Sequence, residues 1–175
     1  MELLKKKSVR FGAFTLASGT ESDVYVDARL TTMSPEGLSI IGPLALAAIR
    51  RMRWNPDSIG GLTLGADPIA YAVSYASASS AAPLRAFTVR KEPKQHGTRK
   101  LIEGPFKQGD RVVVIEDVIT TGSSALRAVE AVREAGGDVV GVLALVDRHE
   151  GGTEKIKTAG CSLVTLVEGD ELRTR

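Results

Sequence analysis

Apolar residues gather in short, nearly continuous runs at 59–64, 84–89, 111–115, 139–146 and 162–167. Runs of this length without strict alternation are the mark of strands covered on both faces. Segments of helical period lie between several of them, at 34–52, 67–77 and 123–135. Strands alternating with helices predict an α/β fold, with a central parallel sheet of about five strands flanked by helices. Ser34-Pro35-Glu36 and Asp67-Pro68 each place a capping residue before a proline, so both mark helix starts. Gly136-Gly137 marks a helix end. Pro43 interrupts the 34–52 pattern and predicts a kink or two separate helices. The first thirty residues do not follow the alternation. They are expected to pass over the C-terminal edge of the sheet, where ligands bind in open α/β folds.

The most informative stretch follows the third run. Val112-Val113-Val114-Ile115 ends at two adjacent acids, Glu116 and Asp117, and then at Val118-Ile119-Thr120-Thr121-Gly122-Ser123-Ser124, before a helix-period segment. A strand turning straight into a helix gathers backbone N–H groups and the positive helix end at one point, which suits a phosphate. Thr120, Thr121, Ser123 and Ser124 add hydroxyl donors there. Ionised carboxylates only accept hydrogen bonds, so Glu116 and Asp117 suit the hydroxyls of a sugar attached to that phosphate. The segment reads as a cradle for ribose 5-phosphate. No G-x-x-x-x-G-K-[ST] run and no helix-opening G-x-G-x-x-G are present, which weakens nucleoside-triphosphatase and dinucleotide readings.

Length and composition narrow the class without deciding it. The 175 residues, 43% hydrophobic and 25% charged, predict a single globular domain spanning 1–175. A formal net charge of +2 gives no argument for nucleic acid. The one cysteine, Cys161, suits a reducing cytoplasm and is expected to be a buried core thiol. The lysines at 5–7 lack a following apolar segment, and no window approaches a membrane span. They are expected to close a short N-terminal helix. Arg50, Arg51 and Arg53 crowd the end of another helix, where cations favour its dipole.

Residues 90–104 separate two strands without sustained periodicity and carry five Lys or Arg together with His96. A loop of this length in a compact domain is a lid or a disordered connection. Donors at Arg90, Lys91, Lys94 and His96 can close over a strongly anionic group such as pyrophosphate.

These segments carry a family resemblance. The run through Glu116 and Asp117 to Ser124 resembles the PRPP-binding signature of type I phosphoribosyltransferases. Arg90-Lys91-Glu92-Pro93-Lys94-Gln95-His96-Gly97 resembles the R-K-x-x-K-x-H-G loop of the orotate phosphoribosyltransferase family. Phe11 to Gly19 resembles that family's F-G-x-F-T-L-x-S-G, and Asp147-Arg148-His149-Glu150-Gly151-Gly152 its D-R-x-E-G-G. Ala17 stands where some relatives have a lysine, and Gly65-Ala66-Asp67-Pro68 stands where a Gly-Gly-x-Pro turn is frequent.

The resemblance implies a type I phosphoribosyltransferase fold with a small hood at about 1–32. It implies transfer of phosphoribosyl from PRPP to orotate, giving orotidine 5′-phosphate and pyrophosphate in pyrimidine (UMP) synthesis. Glu116 and Asp117 would hold the ribose, Thr120 to Ser124 the 5′-phosphate, and Arg90, Lys91, Lys94 and His96 the pyrophosphate, with Val118 and Ile119 also in the PRPP site and Lys94 and His96 catalytic. Thr120 and Arg148 would bind orotate, Arg148 selecting its carboxylate through a two-pronged pair. Tyr25 could plug the core or stack on the base, and His149 is expected to be a bystander. Mg²⁺ is expected to arrive with PRPP, without a protein carboxylate cage. A homodimer with lids shared between subunits is implied, in the cytoplasm, with no nucleic acid or membrane partner. The rivals are a sister enzyme using a purine or uracil, and a PRPP-binding regulator without turnover.

Overall fold

The computed structural model describes residues 1–15, 21–92 and 100–173. A short helix, α1 (Glu2–Ser8), leads into an antiparallel hairpin of β1 (Val9–Thr15) and β2 (Glu21–Val26). Helices α2 (Arg29–Thr32) and α3 (Pro35–Arg51) follow. The remaining elements are β3 (Ser58–Leu62), α4 (Ala66–Ser77), β4 (Arg85–Val89), β5 (Ile102–Glu103), β6 (Arg111–Ile119), α5 (Ser123–Glu134), β7 (Asp138–Asp147), α6 (Gly152–Thr158), β8 (Leu163–Glu168) and α7 (Gly169–Arg173).

All five expected strands are present and run parallel in the order β4-β3-β6-β7-β8. A sixth, the two-residue β5, adds an antiparallel edge through Thr88 opposite Glu103 and Val89 opposite Ile102. It was not legible in the sequence because two residues carry no period. Strand β6 runs four residues past its expected end. Glu116, Val118 and Ile119 pair with Ala144, Val146 and Asp147 of β7, so the two acids lie inside the ladder.

Alternation along β6 divides the core into two layers. Val113 and Ile115 face Ile49, Ile69 and Val73 of α3 and α4, whereas Val112 and Val114 face Val129, Val132 and Ile156 of α5 and α6. Both faces of the strand are therefore buried, which explains its unbroken apolar run. Cys161 is buried in the second layer, as expected.

The helix ends show where local signals decided the outcome and where packing overrode them. Ser34 Oγ accepts from the Gly37 N–H at 3.1 Å, the expected cap, with Pro35 beginning α3. Gly136 ends α5 at φ +81°, and the Gly137 N–H reaches the Val132 carbonyl at 2.9 Å. Asp67 does not cap α4; Gly65 takes that position and Asp67 lies in the first turn, bonded elsewhere. Nor does Pro43 divide α3, which is a single element from Pro35 to Arg51. Pro43 is exposed, so the carbonyl deprived of its helical donor can turn to water. Buried Ile41, Ala45, Leu46 and Ile49 hold the helix to the sheet on both sides of it.

Helices α3 and α4 cross at Gly42, where a Cβ would come within 2.6 Å of the Ala72 carbonyl oxygen. Elsewhere in a helix, Gly→Ala gains about 1 kcal/mol of propensity. Here the backbone of α4 cannot yield as a side chain could. Gly42→Ala is expected to lower stability by about 1–2 kcal/mol net, as overpacking does. Urea unfolding checks this: a stabilised variant would mean that the two helices separate freely.

Candidate active site

The C-terminal ends of β3 and β6, the turn after β7 and the end of the hairpin surround a cavity of about 610 Å³. Parallel strands all deliver their C-terminal ends to one edge, so residues far apart in sequence meet there. Of the expected site residues, Lys91, Glu116, Asp117, Val118, Thr120, Thr121, Ser124 and Arg148 line this cavity. Ser123 does not line it, but its hydroxyl lies 3.0 Å from that of Thr121. The Ile119 side chain is buried in the core, so only its backbone belongs to the turn. Arg90 does not line the cavity; its Nε donates to the Glu92 carbonyl at 3.2 Å and its Nη1 lies 3.8 Å from Glu103. Lys94 and His96 lie outside the described residues.

The phosphate turn is set by backbone packing. Gly122 has φ +77°, a left-handed value that β-branched residues disfavour, and α5 begins at the next residue. The start of α6 backs the turn: a Cβ on Gly152 would meet the Thr120 carbonyl at 2.5 Å and the Gly122 nitrogen at 2.7 Å. The first amides of a helix lack intrahelical partners, and Ser124, in the first turn of α5, lines the cavity.

The two acids occupy opposite faces of β6. Asp117 accepts from the Val118 N–H at 2.9 Å and presses on Gly65, where a Cβ would fall 2.4 Å from its Oδ2. Glu116 is only 6% exposed, and its Oε2 has no hydrogen-bond partner among the described residues. Burial, and then the neighbouring Asp117, hold its carboxyl well above the ordinary range. An orphaned buried acceptor beside a cavity calls for a donor from a ligand, and a sugar hydroxyl supplies one.

Arg148 follows the end of β7, its N–H donating to the Ile119 carbonyl at 2.9 Å. Its side chain is 10% exposed, and its Nε lies 3.0 Å from Glu150 Oε1. Glu150 also lines the cavity. The pair is thus part of the cavity wall, not a solvated surface contact. The turn carrying Arg148 is fastened from behind. Asp147 accepts from the His149 N–H at 2.9 Å and from Thr153 Oγ1, while His149 Nε2 lies 3.1 Å from Glu168 Oε2. Asp147, His149 and Glu168 lie near one another, and the two imidazole nitrogens face different carboxylates, so the ring bridges the end of β7 to β8.

The lining residues at the end of β3 were not singled out from sequence. Leu62, Thr63 and Leu64 wall the cavity at the end of β3, a place that the strand pattern itself marks as a ligand edge. Asp27 and Arg29 form a two-pronged pair at 2.8 and 3.1 Å. Arg29 thereby holds the Asp27 carboxyl below the ordinary range. Tyr25 lines the cavity with its ring centroid 5.5 Å from that of Phe14, so it packs and faces the ligand space together.

Residues 32–164 match the phosphoribosyl transferase domain family. The chain is 49% identical to the orotate phosphoribosyltransferase of Aquifex aeolicus over 173 residues, covering 97% of this chain and 93% of that protein. It is 46% identical to the orotate phosphoribosyltransferase of Streptomyces avermitilis, over 98% of this chain and 94% of the relative. The chain belongs to the orotate phosphoribosyltransferase family. The crystal structure of the Mycobacterium tuberculosis family member in complex with PRPP superposes with a TM-score of 0.82 at 39% identity, covering 99% of this chain and 96% of that one. Within this phosphoribosyltransferase fold, the matched span holds the diacid, the phosphate turn and Arg148, and leaves the hairpin outside it.

Glu116 predicts a conflict between ligand binding and stability. Its folded-state carboxyl is raised above its unfolded value, so ionising it opposes folding. Glu116→Gln is expected to raise stability at neutral pH and to weaken sugar binding. That advantage should shrink as pH falls through the raised folded value and vanish below the ordinary unfolded one, where the parent is protonated in both states. Thermal unfolding of both proteins between neutral and acid pH checks this; an advantage independent of pH would place the effect elsewhere.

Proposed function

We propose that this protein transfers the phosphoribosyl group of PRPP to N1 of orotate, releasing pyrophosphate and orotidine 5′-phosphate. One observation carries the reading: a nearly buried arginine, Arg148, faces the same cavity as the sugar-binding diacid and the phosphate turn. A planar guanidinium suits a carboxylate attached to a base. Glu116 and Asp117 accept from the ribose hydroxyls. The amides and hydroxyls from Thr120 to Ser124 surround the 5′-phosphate, Val118 and Ile119 complete the PRPP site, and Thr120 with Arg148 contacts the base. Arg90, Lys91, Lys94 and His96 neutralise the departing pyrophosphate, Lys94 and His96 acting closest to the chemistry.

The bond between C1 of the ribose and the pyrophosphate oxygen breaks as the N1–C1 bond forms. Positive charge develops on the sugar, as in glycoside chemistry. Electrostatic stabilisation therefore matters more than a nucleophilic side chain, and the N1 proton leaves to solvent. Mg²⁺ suits this site as a companion of PRPP: the oxygen donors of Asp117 and Glu116 face the cavity, but two adjacent acids are too few for a protein cage. When bound, it would offset charge on the pyrophosphate.

Residues 1–175 act as one phosphoribosyltransferase domain, with 1–32 as its hood, working in the cytoplasm as a homodimer. The apolar face of α3 and α4 supports the dimer. Ile40 and Leu44 on one helix and Tyr71 and Tyr75 on the other are all exposed, on either side of the Gly42 crossing. Among the described residues no helix is long and apolar enough to cross a membrane.

Arg148→Ala should weaken orotate use by about two to three orders of magnitude, since losing one member of a buried charge pair costs roughly 2–5 kcal/mol. PRPP binding should hardly change. Pyrophosphate release from PRPP and Mg²⁺ with orotate, uracil, hypoxanthine and adenine in parallel checks both claims. A parent that prefers uracil or a purine would retain the fold and lose the orotate assignment. No release with any of the four bases would point to a PRPP-binding regulator without turnover.

Lids shared between subunits predict complementation. Lys94→Ala and Asp117→Asn chains, each inactive alone, should regain activity when mixed, because one site of each heterodimer holds both intact parts. Verified heterodimers that stay inactive would mean that each chain serves its own site.

A further inference from the structure

Asp67 is a buried carboxylate that the chemistry above leaves unused. It is 8% exposed, in the first turn of α4, and its partners among the described residues are two threonine hydroxyls. Thr63 Oγ1 donates to its Oδ2 at 2.6 Å, and Thr88 Oγ1 donates to its Oδ1 at 2.8 Å. The Tyr71 hydroxyl lies 2.8 Å from Thr88 Oγ1. With the Thr88 proton committed to Asp67, Tyr71 is the donor in that pair. One carboxylate therefore ties together the end of β3, strand β4 and the outer face of α4.

A buried carboxylate is costly unless hydrogen-bonded, and a half-satisfied one is worse than an apolar residue. Both oxygens of Asp67 are satisfied, so the group can act as a fixed point. What it fixes is the cavity wall. Thr63 is where β3 ends, its N–H bonded to the Val89 carbonyl at 2.8 Å. Thr63, Leu64 and Gly65 then line the cavity in succession. Gly65 presses on the Asp117 carboxylate, so the position of this wall decides where Asp117 can sit.

The geometry points to Asp67 as a positioning residue: through Thr63 and Thr88 it holds the 63–65 wall against which Asp117 and the phosphoribosyl donor are seated. This rests on the PRPP reading given above. Asp67 touches no reacting atom, so its loss should disturb donor binding more than turnover. An asparagine keeps one acceptor oxygen, and its amide can donate to a hydroxyl that reverses its direction. Partial rescue is therefore expected from Asn and none from Ala.

Asp67→Ala should raise KM for PRPP by about tenfold or more, the scale of a lost hydrogen bond to a charged group. The values of kcat and of KM for orotate should stay close to the parent's. Asp67→Asn should fall between the two. Amide hydrogen exchange should quicken at 63–66 and stay unchanged in β7. Thr63→Val removes one hydroxyl with little change of shape; it should shift PRPP binding the same way, and serves if Asp67→Ala does not fold. Unchanged KM and unchanged exchange in Thr63→Val would overturn the assignment. So would a fall in kcat at constant KM, or faster exchange spread evenly through the sheet. If the parent failed to use PRPP with orotate, the function proposed above would fall, while the exchange pattern would still decide the role of Asp67.

Discussion

Everything at this site depends on one strand being buried on both faces and yet ending in charge. Strand β6 packs valines and isoleucine into two core layers and then carries Glu116 and Asp117 in the same ladder with β7. The neighbouring strand fixes the backbone, so the acids cannot relax toward solvent by fraying. Asp117 finds an amide and the open cavity; Glu116 is left with an orphaned oxygen. The fold supplies a rigid, partly dehydrated acceptor pair, and the sheet's stability holds it in place. With the sugar-binding role proposed above, ligand hydroxyls would complete what the protein alone leaves incomplete, coupling binding and folding through the same carboxylate.

Much of this architecture was legible because its signals were local or periodic. The buried strands, the Ser34 cap and the Gly136 stop each follow from a few adjacent residues. Pro43 and Asp67 misled for the same reason. A proline predicts a break when judged by its own hydrogen bond, but four buried neighbours on α3 outweigh that bond. Asp67 before Pro68 has the form of a helix cap, yet hydroxyls from β3 and β4 claim its carboxylate. Those strands converge on it only after the sheet has formed.

The candidate site divides in the same way. The diacid, turn and Arg148 could be placed from sequence because each directly follows a continuous apolar run. Thr63 and the clasp behind Arg148 could not, since each depends on which strand ends lie side by side. Strand order is a global property, and no local pattern encodes β3 lying between β4 and β6.

The contact between Gly152 and the backbone at Thr120 and Gly122 also acts as a gauge. Arg148 and Gly152 belong to one short turn, and Arg148 is bonded through its N–H to Ile119, immediately before the phosphate turn. The turn that carries Arg148 and the 120–124 turn are thus set a fixed span apart by rigid backbone contacts. With the site roles proposed above, such a ruler would read the length of a nucleotide. A molecule bearing the right base and the right phosphate, but separated by one atom too many, would then fail to satisfy both ends at once.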